Sequence, residues 1–190
     1  FNPAADIPVD VRDDDVNDLF GRETTWRFRR ASYDLTLPAG GVVVDDFNSD
    51  GRADLAFVVT DGVRIVLQEA PRETTGTEGP RAPVWQTAVK LETPDVQTGQ
   101  SAIDAGDLNG DGRADLAVLT DDGAFIIHQQ ADGTMARPLR QGGGAERSVA
   151  LFIDDLNADG RADLLEVTRD DTYPIAVRFG SAAGRLGPRI

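Results

Sequence analysis

The stretch Asp46-Phe-Asn48-Ser-Asp50-Gly51-Arg52-Ala-Asp54 decides the fold of this chain, because the sequence contains it three times. The second copy covers residues 107–115 and the third covers residues 155–163. Each copy reads D-x-N-x-D-G-R-A-D and runs directly into Leu and further apolar residues. A repeat of this kind indicates that each copy belongs to one unit of a repeat architecture.

The spacing of oxygen-bearing side chains within each copy indicates a calcium loop. Asp or Asn stands at positions 1, 3, 5 and 9, and Gly at position 6 allows a sharp turn. Position 7 is Arg, whose backbone carbonyl can act as a ligand as in other Asp-rich calcium loops. These are hard oxygen donors, and Ca²⁺ takes about six to eight of them. The chain has no Cys and only one His, His128, which argues against a zinc, copper or iron site.

The repeated loop has two other possible interpretations. Asp, Asn and Gly also form tight turns without a metal, but three carboxylates within nine residues repel one another unless a cation lies among them. A helical loop of the EF-hand type requires an acidic residue at position 12, which is Phe57, Val118 and Glu166 in the three copies. Short apolar runs follow each copy and predict strands rather than helices. Each loop therefore joins two strands, with position 9 at the start of the second strand.

Three D-x-N-x-D-G-x-x-D-L loops, about 50–60 residues apart and flanked by short strands, resemble the FG-GAP/VCBS repeat family, which includes the blades of integrin α-subunit propellers. The resemblance covers roughly residues 24–190. It implies an all-β fold of β-propeller blades with one Ca²⁺ per blade, about three in total. Phe-Gly occurs only at Phe179-Gly180, without a following Gly-Ala-Pro, so the chain is closer to the bacterial VCBS-type variant.

The resemblance also implies a ligand set, with side chains at positions 1, 3, 5 and 9 and the backbone carbonyl of position 7. The implied metal ligands are Asp46, Asn48, Asp50, Arg52 and Asp54; Asp107, Asn109, Asp111, Arg113 and Asp115; and Asp155, Asn157, Asp159, Arg161 and Asp163.

Composition limits the function classes. The 190 residues are 40% hydrophobic, enough for one sizeable core, and 20 Gly and 10 Pro suit many short strands and turns. A net charge of −14 predicts neither nucleic-acid binding nor binding to anionic membranes. The sequence contains no run of about 18 apolar residues, so no membrane-spanning helix is predicted.

Calcium affinity gives a prediction of the compartment. Loops with three carboxylates and one Asn resemble extracellular modules that bind calcium at about 10⁻⁴–10⁻³ M. We therefore expect an extracellular, cell-surface or periplasmic protein. The first residue, Phe1, fits a processed or trimmed N-terminus. Among the Lys and Arg residues, all but Lys90 are Arg, which indicates a bacterial source.

The chain divides into an acidic N-terminal arm or linker at residues 1–23, then repeat 1 (41–100), repeat 2 (101–147) and repeat 3 (148–190), with 24–40 as the outer strand of a neighbouring blade. Each repeat is expected to form a four-stranded antiparallel blade, although repeat 3 has little room for a fourth strand. The predicted strands are 42–44, 55–60, 63–68 and 85–92; 101–103, 116–120, 124–129 and 134–140; and 148–153, 164–168 and 173–179. Residues 70–84 read as a loop and 142–144 as a flexible joint.

The number of blades leaves the ring open. About three blades are predicted, whereas propellers close with about four to eight, and an open fan exposes sheet edges. The chain is therefore a fragment of a larger propeller, or it completes a ring with another copy or another subunit, or it is an open fan capped by its own arm. In the second case the strand at 24–37 is a candidate for pairing between chains.

No catalytic residue is predicted. His128 reads as a surface or half-buried strand residue, and neither a G-x-S-x-G nucleophile motif nor a phosphate-binding Gly-rich loop occurs. The pairs Asp45-Asp46 and Asp154-Asp155 imitate a glycosidase carboxylate pair, but one member of each is expected to end a strand and the other to bind calcium. Four aromatic residues are expected in the core rather than on a sugar-binding platform: Trp26, Tyr33, Trp85 and Tyr173.

Two function classes follow. The first is a non-catalytic extracellular calcium-binding module for adhesion, scaffolding or surface assembly, with a protein partner or further copies completing the propeller. The alternative is the propeller portion of a polysaccharide-active enzyme or a carbohydrate-binding lectin. No R-G-D sequence supports a role as an integrin ligand.

Overall fold

The computed structural model describes residues 39–70, 85, 89–93, 95–121, 123–141, 148–170 and 172–190. Nearly all of them belong to one compact unit, Leu37–Gln68 with Trp85–Ile190. The other unit, Phe1–Thr36 with Glu69–Val84, consists almost entirely of residues outside this set. The predicted arm at 1–23, the strand at 24–37, nearly all of the loop at 70–84 and the joint at 142–144 lie outside the described residues.

The described part of the chain is all-β and forms three antiparallel sheets, here called blades 1, 2 and 3. Blade 1 contains β1 (Ala39–Asp45), β2 (Asp54–Val59), β3 (Gly62–Val66) and β4 (Val89–Leu91). Blade 2 contains β5 (Ile103–Gly106), β6 (Asp115–Thr120), β7 (Gly123–Ile127) and β8 (Leu139–Arg140). Blade 3 contains β9 (Ser148–Asp154), β10 (Asp163–Thr168) and β11 (Ile175–Arg178).

Strands that follow one another in sequence are neighbours in each blade, so every blade is an antiparallel meander. This is the arrangement of β-propeller blades, and the predicted fold class is confirmed. Position 9 of each repeated loop, which is Asp54, Asp115 or Asp163, is the first residue of the second strand, as predicted. The repeated loop therefore connects the first and second strands of all three blades.

The outer strand of blade 2 is shorter than predicted. In blade 2 the expected strand at 134–140 reduces to Leu139–Arg140, with Met135 forming an isolated bridge to Gln129. Pro138 lies between these two pairings and has no N–H to donate, so it interrupts the ladder. In blade 1 the described residues of the expected strand at 85–92 include β4 and Trp85, which forms an isolated bridge to Gln68, and residues 86–88 lie outside the described part of the chain. Short edge strands of this kind limit edge-to-edge pairing.

Blade 3 has more of a fourth strand than the sequence predicted. Gly180 bridges Leu186, and the backbone groups of Val177 and Ile190 exchange two hydrogen bonds of 3.0 Å. The equivalent pair in blade 2 is Ile126 with Leu139, a residue of the outer strand β8. The last residues of the sequence therefore take the outer position of blade 3.

Two apolar clusters hold the blades together face to face. The cluster between blades 1 and 2 consists of Phe47, Ala56, Val58, Val63 and Ile65 with Ile103, Ala114, Leu116, Val118 and Ile127. The cluster between blades 2 and 3 consists of Ala102, Leu108, Ala117, Leu119, Ala124 and Ile126 with Leu151 and Leu164. Because blade 2 is covered on both faces, all of β6 is buried, which explains its unbroken apolar run.

The aromatic residues are less buried than predicted. Tyr173 is exposed, because it lies in the turn that precedes β11 rather than in a strand, and Trp85 is only half-buried. The prediction that Tyr173 belongs to the core is therefore wrong. Trp26 and Tyr33 lie outside the described residues.

Candidate functional site

The three repeated loops have the same backbone conformation. Position 6 is a glycine with φ of 80°, 79° and 81° in the three copies, and position 4 has φ of 60°, 78° and 59°. Position 4 is Ser49 and Ala158 in the first and third loops, and side chains rarely adopt this left-handed conformation unless their surroundings hold it. The position-6 residues are Gly51, Gly112 and Gly160.

The carboxylate at position 1 accepts hydrogen bonds from backbone N–H groups of its own loop. Asp46 accepts hydrogen bonds from the N–H of Asp50 at 3.1 Å and of Gly51 at 2.7 Å. Asp107 and Asp155 accept the matching pair in their loops. Burial raises the pKa of Asp46, but the N–H groups of Gly51, Asp50 and other loop residues outweigh it and lower that pKa below 3.8. Asp46 is therefore held as a carboxylate ion by the backbone of its own loop.

Positions 3 and 5 continue this pattern of bonds. The side-chain oxygen of Asn48 accepts from the N–H of Asp50 at 3.1 Å, and Asp50 accepts from the N–H of Arg52 at 2.9 Å. The second and third loops repeat both contacts. A carboxylate has about four lone-pair sites, so these bonds leave acceptor capacity for a cation.

The carboxylate at position 9 joins the loop to a residue that follows the third strand of its blade. Asp54 is fully buried and accepts from the N–H of Phe47 at 3.0 Å and of Gln68 at 2.8 Å. Asp115 and Asp163 make the same two kinds of bond. Burial raises the pKa of Asp54, the two N–H groups partly offset this, and the charges of Asp50 and Asp46 raise it further. The three carboxylates of one loop therefore repel one another electrostatically.

The side chain at position 7 has a role that the sequence analysis missed. The Arg52 guanidinium pairs with Asp50, and its Nε donates to the carbonyl of Gln68 at 2.9 Å. Arg113 makes the equivalent two contacts, and Arg161 pairs with the position-5 carboxylate of its loop at 3.0 Å. The Asp-Gly-Arg order, which repeats in all three copies, was the signal for this ion pair.

The donor set suits calcium, although the ligands are not gathered into a cluster. Among the described residues, no three acidic or histidine side chains form a group that could hold a metal ion in this arrangement. All three carboxylates in each loop already have partners: backbone amides at positions 1 and 9, and the Arg at position 7 for the carboxylate at position 5. A cation in the loop would compete with the guanidinium for the position-5 carboxylate. The ligand set, position 7 carbonyls included, stays a prediction.

Glu166, which stands at position 12 of the third copy, does not belong to the loop. It is buried, accepts a hydrogen bond from the Ser148 hydroxyl at 2.7 Å and lies 3.6 Å from Nε of buried Arg178. The one acidic residue that fitted an EF-hand is therefore part of a buried ion pair in blade 3.

His128 follows β7 directly and is half-buried, as predicted. Its Nδ1 lies 2.9 Å from a carboxylate oxygen of Asp115, the position-9 residue of the second loop. The hydrogen bond from Asp115 raises the pKa of His128, burial lowers it, and the charges of Asp115, Asp111 and Asp107 raise it again, so that the net shift is upward.

A cleft of about 480 Å³ lies between blades 2 and 3 beside His128. Its walls combine apolar side chains with cationic and amide groups. The lining residues are Leu108, Ile126, His128, Leu139, Arg140, Gln141, Gly184, Arg185 and Leu186. Such a mixture suits a small polar ligand with an apolar face.

Each of the first two loops is also covered by the next blade. Gln129 of blade 2 is buried, donates to the Asp46 carbonyl at 3.2 Å and accepts from the Ser49 hydroxyl at 3.2 Å. A Cβ on Gly133 would come within 2.5 Å of the Asn48 carbonyl oxygen. Gly184 of blade 3 lies equally close to the second loop, at Asn109. Sequence analysis missed these contacts, although Gln68 and Gln129 recur at the same distance from position 9.

Comparison with known proteins agrees with this arrangement. The FG-GAP-like repeat family matches residues 46–118 and 107–166, which together make up more than half of the chain. No curated protein matches. In the part of the chain that the structure describes, no helix has the length and apolar character needed to cross a membrane.

One similar solved structure comes from work on the recognition of non-reducing terminal N-acetylglucosamine by a lectin of Agrocybe aegerita. The TM-score is 0.52 and the sequence identity is 22%, and the match covers 78% of this chain. This likeness shows a shared fold alone. The match spans 37% of the lectin chain.

Proposed function

This chain belongs to the FG-GAP-like repeat family, and we propose that it is a non-catalytic, calcium-binding module of an extracellular or cell-surface protein. The observation that carries the proposal is the likeness of the three loops, which share one sequence pattern, one backbone conformation and the same backbone hydrogen bonds to positions 1, 3, 5 and 9. A feature repeated in three blades serves a common purpose in each blade.

Charge supports a cation in each loop. Three carboxylates lie in every copy, and the charges of Asp46 and Asp50 already disfavour the ionised form of Asp54. The chain has a net charge of −14, so three Ca²⁺ ions, adding six positive charges, bring the formal total to −8. Calcium therefore relieves repulsion within each loop and across the molecule.

The compartment follows from the expected affinity. Loops with this donor set bind calcium at about 10⁻⁴–10⁻³ M, so they fill where free calcium is millimolar. We place the protein outside the cytoplasm on this ground, and membership of a repeat family typical of extracellular proteins supports it. Adhesion, scaffolding and surface assembly are the roles that a rigid extracellular module of this kind serves.

Calcium acts on stability through linkage. A site held at about ten times its Kd stabilises the folded state by about 1.4 kcal/mol, so three sites contribute about 4 kcal/mol. The first two loops contact the next blade through Gln129, Gly133 and Gly184, so ordering these loops also supports the packing between blades.

The test is thermal unfolding of the full chain in about 2 mM calcium and in excess chelator. We expect calcium to raise the melting temperature, and replacement of the three position-1 residues by Asn to abolish the increase. The control is Glu92→Gln, an exposed residue outside the loops, which is compared with Asp46→Asn alone so that each variant loses one charge. Equal melting temperatures with calcium and with chelator would show that the loops work without the ion.

Saccharide binding is a second candidate function. The cleft beside His128 presents apolar walls together with Arg140, Gln141 and Arg185, and the fold is shared with a structure described for N-acetylglucosamine recognition. His128 is the only histidine, so its NMR signal reports on the cleft. Titration with N-acetylglucosamine should shift this signal, and Arg185→Ala should weaken the response. An unchanged signal at saturating sugar would exclude binding beside His128.

A further inference from the structure

The second repeated loop differs from the other two at the residue that follows position 3. Asn109 is followed by Gly110, whereas Asn48 and Asn157 are followed by Ser and Ala. The sequence contains five asparagines, and Asn109 is the only one that precedes a glycine. Because the three loops otherwise share one conformation, the first and third loops serve as internal controls for the effect of this glycine.

A glycine in this position exposes the asparagine side chain to attack by the main chain. The backbone nitrogen of the next residue bonds to the side-chain carbonyl carbon, the bond from that carbon to the amide nitrogen breaks, and the proton of the attacking N–H departs with the amide as ammonia. Water then opens the resulting cyclic succinimide to aspartate or isoaspartate. Glycine leaves the attacking nitrogen unhindered and gives the backbone the freedom that ring closure needs.

The polar contacts around Asn109 favour this attack. Its side-chain oxygen accepts a hydrogen bond from the N–H of Asp111 at 2.9 Å, which stabilises negative charge on that oxygen while the new bond forms. The N–H of Gly110 donates to the Asp107 carboxylate at 2.6 Å, a charge-assisted bond that increases electron density on the attacking nitrogen. The amide nitrogen that leaves lies 3.5 Å from Nδ1 of His128. The attacking nitrogen, the polarised carbonyl and the leaving group therefore all have polar partners.

The loop also has room for both steps of the reaction. Gly110 is exposed and Asn109 is half-buried, so water reaches this part of the loop. A Cβ on Gly110 would meet no atom within 4 Å. Its φ of 78° is a conformation that glycine adopts without strain.

We propose that Asn109 is a site of spontaneous deamidation, at which the side-chain amide is replaced by the carboxylate of aspartate or isoaspartate. The determinant is Gly110, so the reaction is specific to the second loop. This modification goes beyond the calcium proposal and does not depend on it, because it needs only the chain and water.

The product changes both the charge and the contacts of the second loop. A fourth carboxylate joins those of Asp107, Asp111 and Asp115. Isoaspartate also lengthens the main chain by one methylene and displaces the Asn109 carbonyl, to whose oxygen a Cβ on Gly184 would come within 2.5 Å. Deamidation therefore weakens the contact between blades 2 and 3. Its effect on calcium affinity, which depends on the charge of the ligands, rests on the proposed function.

The test is tryptic peptide mapping of the full chain after incubation in chelator at mildly alkaline pH, which favours loss of the N–H proton. The three loop asparagines fall in separate peptides, residues 31–52, 91–113 and 148–161. We expect the mass increase that replaces NH by O to accumulate several-fold faster in 91–113 than in the other two. Fragment ions assign the change to Asn109 rather than to Gln97 or Gln100.

Two matched variants exchange the residue after position 3. Gly110→Ala copies the third loop, where Ala158 adopts a φ of 59°, and should slow the reaction of Asn109 to the rate of Asn157. Ala158→Gly should raise the rate of Asn157 towards that of Asn109. Circular dichroism confirms that both variants are folded.

Three results would overturn the proposal. They are equal rates at the three loop asparagines of the wild type, an unchanged rate at Asn109 in Gly110→Ala, and an unchanged rate at Asn157 in Ala158→Gly. Because the mass change is measured without calcium, each of these results is independent of whether the loops bind the ion.

Discussion

The carboxylate at position 9 of each loop holds its blade together through hydrogen bonds, with or without a bound ion. These residues are Asp54, Asp115 and Asp163. Each is fully buried and accepts one N–H from its own loop and one from beyond the third strand of its blade. The sequence placed these residues correctly at the start of a strand. It could not show their partners, because the second N–H lies 14 to 17 residues away and reaches the carboxylate only after the hairpin has formed.

We predict that Asp54→Asn destabilises the chain even in chelator. An amide nitrogen cannot accept, so one of the N–H groups of Phe47 and Gln68 loses its partner, at a cost of about 1–3 kcal/mol. Urea denaturation in excess chelator measures this loss. The control is Asp50→Asn, whose partly exposed pair with Arg52 is worth about 0–1 kcal/mol. Equal losses would mean that position 9 acts only as a metal ligand.

His128 gives a pH dependence in the metal-free protein. Its hydrogen bond with Asp115 raises the pKa above 6.5, so the histidine contributes stability that is fully present below pH 6.5. This contribution disappears as the pH rises through the folded-state pKa. We expect denaturant midpoints in chelator to fall over that interval for the wild type and less so for His128→Gln. A wild-type curve that is flat or rises there would contradict the pairing.

Calcium should lower the pKa of His128. The charges of Asp107, Asp111 and Asp115 help to raise that pKa, and an ion bound in the second loop would neutralise them. Because the chain has one histidine, an NMR pH titration with calcium and with chelator reads the difference from a single signal. An identical pKa in both conditions would mean that no ion enters the second loop.

At the scale of the element, the buried pair of Glu166 and Arg178 distinguishes blade 3. The matching positions in blade 2 are Val118 and Ile127, which are buried and apolar. We predict that Arg178→Ala costs about 3–5 kcal/mol, because it leaves the Glu166 carboxylate buried with only the Ser148 hydroxyl. Chemical denaturation measures the loss.

The matched control replaces both members of this pair. Glu166→Val combined with Arg178→Ile copies blade 2 and should be far less destabilising than the single change, since buried pairs often exchange for apolar residues at little cost. If the double variant lost as much stability as Arg178→Ala, then packing around Arg178 would account for the loss and the ion pair would not.

The strands show which features a sequence reveals. Inner strands were predicted well, because β6 is buried on both faces and its composition records that burial. The outer strand of blade 2 was predicted too long, since Pro138 interrupts its pairing, and the outer position of blade 3 was missed. Backbone pairing in an edge strand has little effect on side-chain composition, so the sequence does not show how long such a strand is. Its length depends on the turn that returns the chain to the sheet.

For the whole molecule, the repeated loops and the blade contacts occupy the same places. Gln129 and Gly133 bring blade 2 onto the first loop, and Gly184 brings blade 3 onto the second. The sequence predicted the loops from their spacing, but it could not predict this coverage, which depends on how consecutive blades stack. Loop conformation and blade packing are therefore linked, and an ion that ordered a loop would also stabilise the contact with the next blade.

The most direct test of this account is the number of calcium ions that one full chain binds, measured by calorimetric titration. The account predicts three sites per chain with dissociation constants of about 10⁻⁴–10⁻³ M. Asp46→Asn should reduce the number to two, and Glu92→Gln should leave it at three. Absence of binding at about 10 mM calcium, well above the range of such sites, would contradict the proposal that the repeated loops are calcium sites.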